Sequence, residues 1–334
     1  MMKNKTILLV GGCGFIGHNL SLNLKKKGYQ PVIVDSLSVN NILSVTDDSV
    51  PSKKLYSAIL KNRLELLSQN DIKLIVSDAR NYHAVSKIYS DINPDKIIHL
   101  AAVSHAHKSN KDPHSTFDHS LRTLENTLDF ARSGKKQVIY ISSSMVYGDF
   151  DGKEVDEETP CNPIGIYGTL KLSGEMIVKS YKQVFDLPYT IIRPSALYGE
   201  RCVSRRVGQI FIENAIQNLK IKINGDGEDR LDFTYIQDLV EGIISCCENN
   251  SAINQTFNLT YGNSRKINDL IEVLKNDFPK IEVEYLQREK FMPERGTLKI
   301  DKAKKLINFQ PKYKIEEGYK KYISWYKDFY KYIL

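Results

Sequence analysis

The chain has 334 residues, 41% of them hydrophobic and 26% charged. This is enough apolar material for one large packed α/β unit or two modest ones, and it excludes a disordered chain. The net charge of +7 is spread along the sequence, densest between Lys299 and Lys331, with no RNA-binding signature or zinc spacing. No nucleic-acid partner is therefore expected; the excess reads as a solvated basic surface on an enzyme whose ligands carry phosphates.

In the first half, short apolar runs alternate with longer amphipathic stretches. Strands are predicted at 6–10, 31–35, 73–77, 96–101 and 138–142, with helices at 15–27, 52–68, 82–92, 116–133 and 167–185. Continuous apolar strands alternating with helices predict a doubly wound parallel sheet of the Rossmann type, covered on both faces. A further strand at 189–192 precedes Arg193-Pro194. Beyond it the alternation turns irregular: helices at 207–218, 236–248, 267–278 and 315–332, a short strand at 220–223 and a turn at 224–227. No linker separates the halves. The expected organisation is a cofactor domain of 1–194 plus about 231–256, and a smaller, discontinuous C-terminal substrate domain of about 195–230 plus 257–334.

The longest apolar runs are far shorter than the ~20 residues of a bilayer span, and the N-terminus runs directly into a strand and a glycine turn. No membrane partner and a cytoplasmic location are expected. The five cysteines form no CxxC pair and are odd in number, so reduced thiols are expected.

Gly11, Gly14 and Gly17 sit between a predicted strand and a predicted helix. Glycine permits the tight turn and close backbone approach to a pyrophosphate, and the helix start supplies N–H groups for it. Asp35 ends the next strand and is placed to accept from a ribose diol, which favours NAD over its 2′-phosphorylated form. Asp78-Ala79 and Leu100-Ala101-Ala102 follow the third and fourth strands, at the edge where such sheets bind ligands. Phe15, Ile16, Ser36, Tyr167, Lys171 and Pro194 complete the expected cofactor contacts.

Tyr167 and Lys171 are four residues apart and share one helix face. A phenol, with an ordinary pKa of about 10, becomes a usable base beside a lysine ammonium and an oxidised nicotinamide. Ser143, at the end of the fifth strand, is placed to hold the same substrate oxygen. Substrate contacts are expected from Ser104, His105, Ser144, Met145 and Arg205. His105 and His107 are spaced like metal ligands, but no carboxylate or cysteine cluster joins them, and no metal is expected.

The order of these features resembles the extended short-chain dehydrogenase/reductases, specifically the nucleotide-sugar epimerases and dehydratases. The resemblance rests on GGCGFIG, Asp35, SDARN at 77–81, HLAA at 99–102, SSSMVYG at 142–148, IYGTLK at 166–171, RPSALYG at 193–199 and RLDFTYIQD at 230–238. It implies Tyr167 as base, Ser143 as its partner, Lys171 on the nicotinamide ribose, and Arg230 and Arg295 on a nucleotide diphosphate. It also implies a UDP-sugar as the default substrate and a homodimer formed through the helices at 116–133 and 167–185. Where family dehydratases carry Asp-Glu after the catalytic residue, this chain has Ser144-Met145, and Ala196 replaces the usual Asn. Methionine transfers no proton, so the resemblance implies C4 epimerisation, with dehydratase, decarboxylase and reductase as alternatives. A non-catalytic NAD- or RNA-binding member is the alternative of another class.

Overall fold

The computed structural model describes residues 4–45, 52–103, 106–288 and 292–333. Its centre is a seven-stranded, wholly parallel sheet. Six strands are β1 (Thr6–Val10), β2 (Gln30–Asp35), β3 (Lys73–Val76), β4 (Lys96–His99), β5 (Gln137–Ile141) and β6 (Tyr189–Arg193). A seventh, Gln255–Asn258, gives the order Gln255–Asn258, β6, β5, β4, β1, β2, β3. The chain winds outward from β1 to β3, then returns to β4 and winds the other way. Register pairs Leu8 with Val32 on one side and with Ile97 on the other. The reversal between β1 and β4 opens a crevice at the strands' carboxyl ends.

Successive residues of β1 feed opposite layers, as the strand period requires. Ile7 and Leu9 pack with Leu20 and Leu24 of α1 (Phe15–Lys26) and Ile59 of α2 (Lys53–Gln69). Leu8 and Val10 pack with Val85 of α3 (Tyr82–Ile92), Leu124 and Leu128 of α6 (Thr123–Ser133) and Val178 of α7 (Gly165–Phe185). Burial on both faces is why β1 carries no polar residue after Thr6.

The irregular half adds α8 (Val207–Ile216), α9 (Ile236–Glu248), α10 (Ile267–Lys275), α11 (Asp301–Ile307) and α12 (Ile315–Ile333). Small strand pairs brace it, including Ile221–Asn224 with Val283–Leu286. Tyr319, Tyr322 and Tyr326 of α12 are fully buried, so the apolar stripe of that helix faces the core. Among the described residues no helix is long and apolar enough to cross a membrane. All five cysteines are free thiols.

Two expectations changed. The continuous helix at 116–133 is interrupted: α5 (Pro113–Phe117), itself preceded by α4 (Ala106–Lys111), runs into a π-turn over Asp118–Arg122 before α6 begins. The wide turn brings His119 and Thr123 to the crevice, a use typical of π-bulges. The edge strand Gln255–Asn258 was not expected, because three of its four residues are polar and it pairs on one side only.

The sheet's carboxyl edge is tied down by one buried ion pair. Glu175 of α7 accepts from Arg193 of β6 at 2.9 Å (Nε) and 2.7 Å (Nη2), and from the Ser142 hydroxyl at 2.6 Å. Arg193 also donates to the Tyr147 hydroxyl at 2.9 Å, which donates to Asn258 of the edge strand at 2.8 Å. The two charged side chains are 0% and 3% exposed. Arg193→Met leaves Glu175 charged and unpaired, and is expected to cost about 3–5 kcal/mol of folding stability, read from urea unfolding; a loss below about 1 kcal/mol contradicts the role.

Candidate active site

The glycine turn closes by contact, not by convention. Gly11 has φ +79°, and a side chain there would lie 2.6 Å from the Ala101 amide nitrogen; one at Gly17 would lie 2.4 Å from the Gly12 carbonyl oxygen. The segment just past β4 and the start of α1 therefore press directly on the turn. At Gly14 the nearest neighbour would be 3.4 Å away, and α1 starts there with no side-chain cap. An open face beside uncapped helix N–H groups fits a dinucleotide pyrophosphate.

Asp35 closes the far side. Its carboxylate accepts from the Cys13 amide at 2.8 Å and the Leu37 amide at 2.7 Å, which locks it at the end of β2. Burial raises its pKa, while these two amides and the nearby Arg63 guanidinium pull it back down. Gly11, Gly14, Phe15, Ile16, Gly17, Asp35, Ser36, Asp78, Ala79, Leu100, Ala101 and Ala102 all line one cleft. Asp78 is also gripped by Arg80, which holds its carboxyl below the ordinary range. Pro194 lies one step further on, in the adjoining cleft.

That adjoining cleft holds Ser143, Ser144, Met145, Tyr167 and Lys171. Two glycines let α7 approach it. A side chain at Gly168 would meet the Met145 carbonyl oxygen at 2.7 Å, and one at Gly174 the Tyr140 hydroxyl at 2.3 Å. Helix stability lost to glycine is thus exchanged for close approach to the end of β5. Ser143 caps the following turn by accepting from the Met145 amide at 3.2 Å, and its hydroxyl also reaches the Tyr167 phenol.

Burial raises the Tyr167 pKa; Arg206, the Ser143 hydrogen bond and Arg295 lower it. The cations facing the phenol are thus the two arginines. Lys171, expected in that role, instead donates to the Ile141 carbonyl at 2.7 Å and lies 5.1 Å from the Tyr140 ring centroid. Burial lowers the Lys171 ammonium to about 8, opposed by Glu175 one turn further on.

The arginines divide by task. Arg295 donates to Ser144, to Ser195 at 3.2 Å and to the Met145 sulfur at 2.8 Å. Among the described residues, its Nε is buried without a hydrogen-bond partner, as is that of Arg206. Arg206 lines the cofactor cleft, the Tyr167 cleft and a third, larger cleft. Arg205 and Arg230 line only the last; Arg205 donates to the Tyr56 hydroxyl at 3.2 Å, and Arg230 to the Ser264 carbonyl at 2.7 Å. Ser104 and His105 lie outside the described residues. Among the described residues no three His, Cys, Asp or Glu side chains converge as metal ligands.

Arg206 and Glu175 were missed as individual site residues. Arg206 directly follows Arg205 in the sequence, and no local pattern separates the tasks of the two. Glu175 carried a readable signal, four residues beyond Lys171 on the face that Tyr167 shares. Side-chain NMR of Lys171 should show a titration near pH 8, shifted lower in Glu175→Gln; a midpoint at the ordinary value of about 10.4 contradicts this electrostatic account.

Residues 7–260 match the model of the NAD dependent epimerase/dehydratase family. The chain is 29% identical to a UDP-glucuronate 4-epimerase of Thermodesulfobacterium geofontis, covering 96% of each chain. It is 27% identical to an uncharacterized UDP-glucose epimerase of Bacillus subtilis, covering 97% of this chain and 98% of that one. Among solved structures, UDP-glucuronic acid 4-epimerase of Bacillus cereus, in complex with UDP-glucuronic acid and NAD, superposes with a TM-score of 0.85 at 25% identity, over 97% of this chain and 99% of that one. UDP-glucose 4-epimerase of Thermotoga maritima with UDP-glucose gives 0.84 at 26%, with the same coverage. With three quarters of its length matched and its glycine turn, acidic strand end and Tyr-Lys helix in place, the chain belongs to the NAD-dependent epimerase/dehydratase family.

Proposed function

We propose that the chain is an NAD-dependent nucleotide-sugar epimerase that inverts C4 of a UDP-sugar through a 4-keto intermediate. The observation that carries this reading is the Ser143–Tyr167 pair, in a cleft that shares Leu197 and Arg206 with both the cofactor cleft and the larger cleft, with Ser143 followed by Ser144 and Met145 instead of a proton-transferring pair. NAD bound along the glycine turn supplies a hydride acceptor that can return the hydride. Tyr167, as phenolate, takes the proton of the C4 hydroxyl, and Ser143 holds that oxygen. Arg206 and Arg295 favour the phenolate. Lys171 is the proposed contact for the nicotinamide ribose, and its bond to the Ile141 carbonyl holds the ammonium at the end of β5.

After oxidation the keto sugar presents its other face, Tyr167 returns the proton, and the sum is inversion without net redox change. With no acid at 144 or 145, neither loss of water nor loss of a carboxylate is assisted. Arg230, Arg295 and Arg206 border the larger cleft and suit a nucleotide diphosphate, which guanidinium groups grip by paired N–H donors; Arg205 at the same rim would add a fourth. Ser104 and His105 are proposed sugar contacts. In this reading residues 1–194 with about 231–256 hold the cofactor, and about 195–230 with 257–334 hold the substrate. A cytoplasmic homodimer completes it, supported by exposed apolar side chains near and on the expected pairing helices, Phe117, Met176 and Val184.

The test is a panel of UDP-sugars with wild type and Tyr167→Phe. Wild type should convert at least one to its C4 epimer, and the variant should lose roughly a thousandfold in kcat while retaining NAD. Stoichiometric NADH accumulation, release of water from the sugar, or a fully active variant would contradict the proposal.

A further inference from the structure

Arg63 of α2 is a buried guanidinium, 1% exposed, that borders the cofactor cleft near Asp35 and takes no part in the proton transfer proposed above. Its donors go to the carbonyls of two different loops. Nη1 reaches the Cys13 carbonyl, inside the glycine turn, at 3.4 Å; Nε reaches the Arg201 carbonyl at 3.0 Å, and Nη2 bonds to that same oxygen. Arg201 stands in the left-handed region, φ +63°. Its own side chain returns to α1, with Nε on His18 Nε2 at 3.1 Å and Nη2 on Asn19 Oδ1 at 3.4 Å. His18 is buried, and Nδ1 bonds to the Gly14 carbonyl at 3.0 Å. Because Arg201 can only donate, His18 Nε2 must accept and Nδ1 must carry the proton. Burial, with Arg63 and Arg201 nearby, pushes the His18 pKa well down, in keeping with that neutral tautomer.

A closed ring of bonds therefore joins the glycine turn to the segment that starts at Arg201. Five residues later that segment delivers Arg206 to the edge of the Tyr167 cleft. The geometry assigns Arg63 as a positioning residue that clamps the 199–206 loop to the glycine turn and thereby sets Arg206 against the Tyr167 phenol. A guanidinium suits this task because its rigid fork spans both carbonyls at once, which a lysine's single ammonium cannot do with the same geometry. The assignment rests on Tyr167 being the base, but its readout is the phenol's own titration.

The groups facing that phenol are Arg206, Arg295 and the Ser143 hydroxyl, with Tyr140 of β5 behind and Lys171 one turn on. Phenolate absorbance of the NAD-loaded protein, taken as the difference from the same protein carrying Tyr167→Phe, isolates the Tyr167 titration. Arg206→Gln should raise its midpoint by about half a pH unit or more, since a cation favouring phenolate is lost. Arg63→Met, which touches nothing in the Tyr167 cleft, should raise it in the same direction. The two together should shift no further than Arg206→Gln alone, as coupled sites do. Arg63→Lys and Arg201→Gln are the milder variants should Arg63→Met not fold, and each should give a smaller alkaline shift. An unmoved midpoint in a folded Arg63 or Arg201 variant, or shifts that add in the double variant, would overturn the assignment. Either result stands apart from the sugar assays: a base misassigned to Tyr167 appears as an active Tyr167→Phe, whatever the titration does.

Discussion

The Glu175–Arg193 pair is the reference point for the whole site. It is fully desolvated, and its two partners come from α7 and β6, with Ser142, just past β5, added on one side and Tyr147 on the other. A buried pair of this kind contributes little net stability against an apolar alternative. What it supplies is register. α7 cannot slide by one residue without separating two buried charges. Because Glu175, Lys171 and Tyr167 recur every fourth residue, fixing the first fixes the rest. Lys171 is thereby held on the Ile141 carbonyl and Tyr167 beside Ser143. The glycines at 168 and 174 serve the same end, since any side chain there would push the helix off the sheet edge.

The electrostatic burden around the phenol is shared differently from what a Tyr-Lys pair alone suggests. Lys171 is near its own limit: burial has already lowered it to about 8, and Glu175 keeps it from falling further. The charges that act on Tyr167 arrive from outside the sheet, Arg206 on the loop after β6 and Arg295 near the C-terminal helices. Arg295 is itself lowered by burial to about 10, offset by Asp232 and by Tyr167. The phenol is therefore flanked by cations from the irregular half of the chain, while the helix that carries it is held by the parallel sheet.

This division also explains what the sequence made legible. β1, β2, β4, β5 and β6 were readable because each carries a buried apolar run, β3 because its Leu74-Ile75-Val76 run is apolar although this edge strand is only partly buried, and the glycine turn because its residues answer to fixed contacts at Ala101 and Gly12. Asp35 and Ser143 sit at or just past strand ends, and Tyr167 and Lys171 share one face of α7, where position follows from period. The edge strand Gln255–Asn258 lacked an apolar run, and the π-turn at Asp118–Arg122 has no compositional mark. Arg63, His18 and Arg206 are joined only through long-range bonds, such as Arg201 to His18 across 183 positions. No local pattern encodes such a pairing. Arg201, Arg205 and Arg206 lie close together in the sequence, but their partition among three tasks depends on the left-handed turns at Arg201 and Arg205.

The central claim is that one hydride leaves C4 and comes back to the same carbon within a closed site. A UDP-sugar that turns over, carrying deuterium at C4, tests it most directly when run in ordinary water and followed by NMR and mass spectrometry. The account predicts a C4-epimerised product with its deuterium still on C4. Deuterium lost to solvent, or found elsewhere on the sugar, would mean that the stereocentre is inverted by another route.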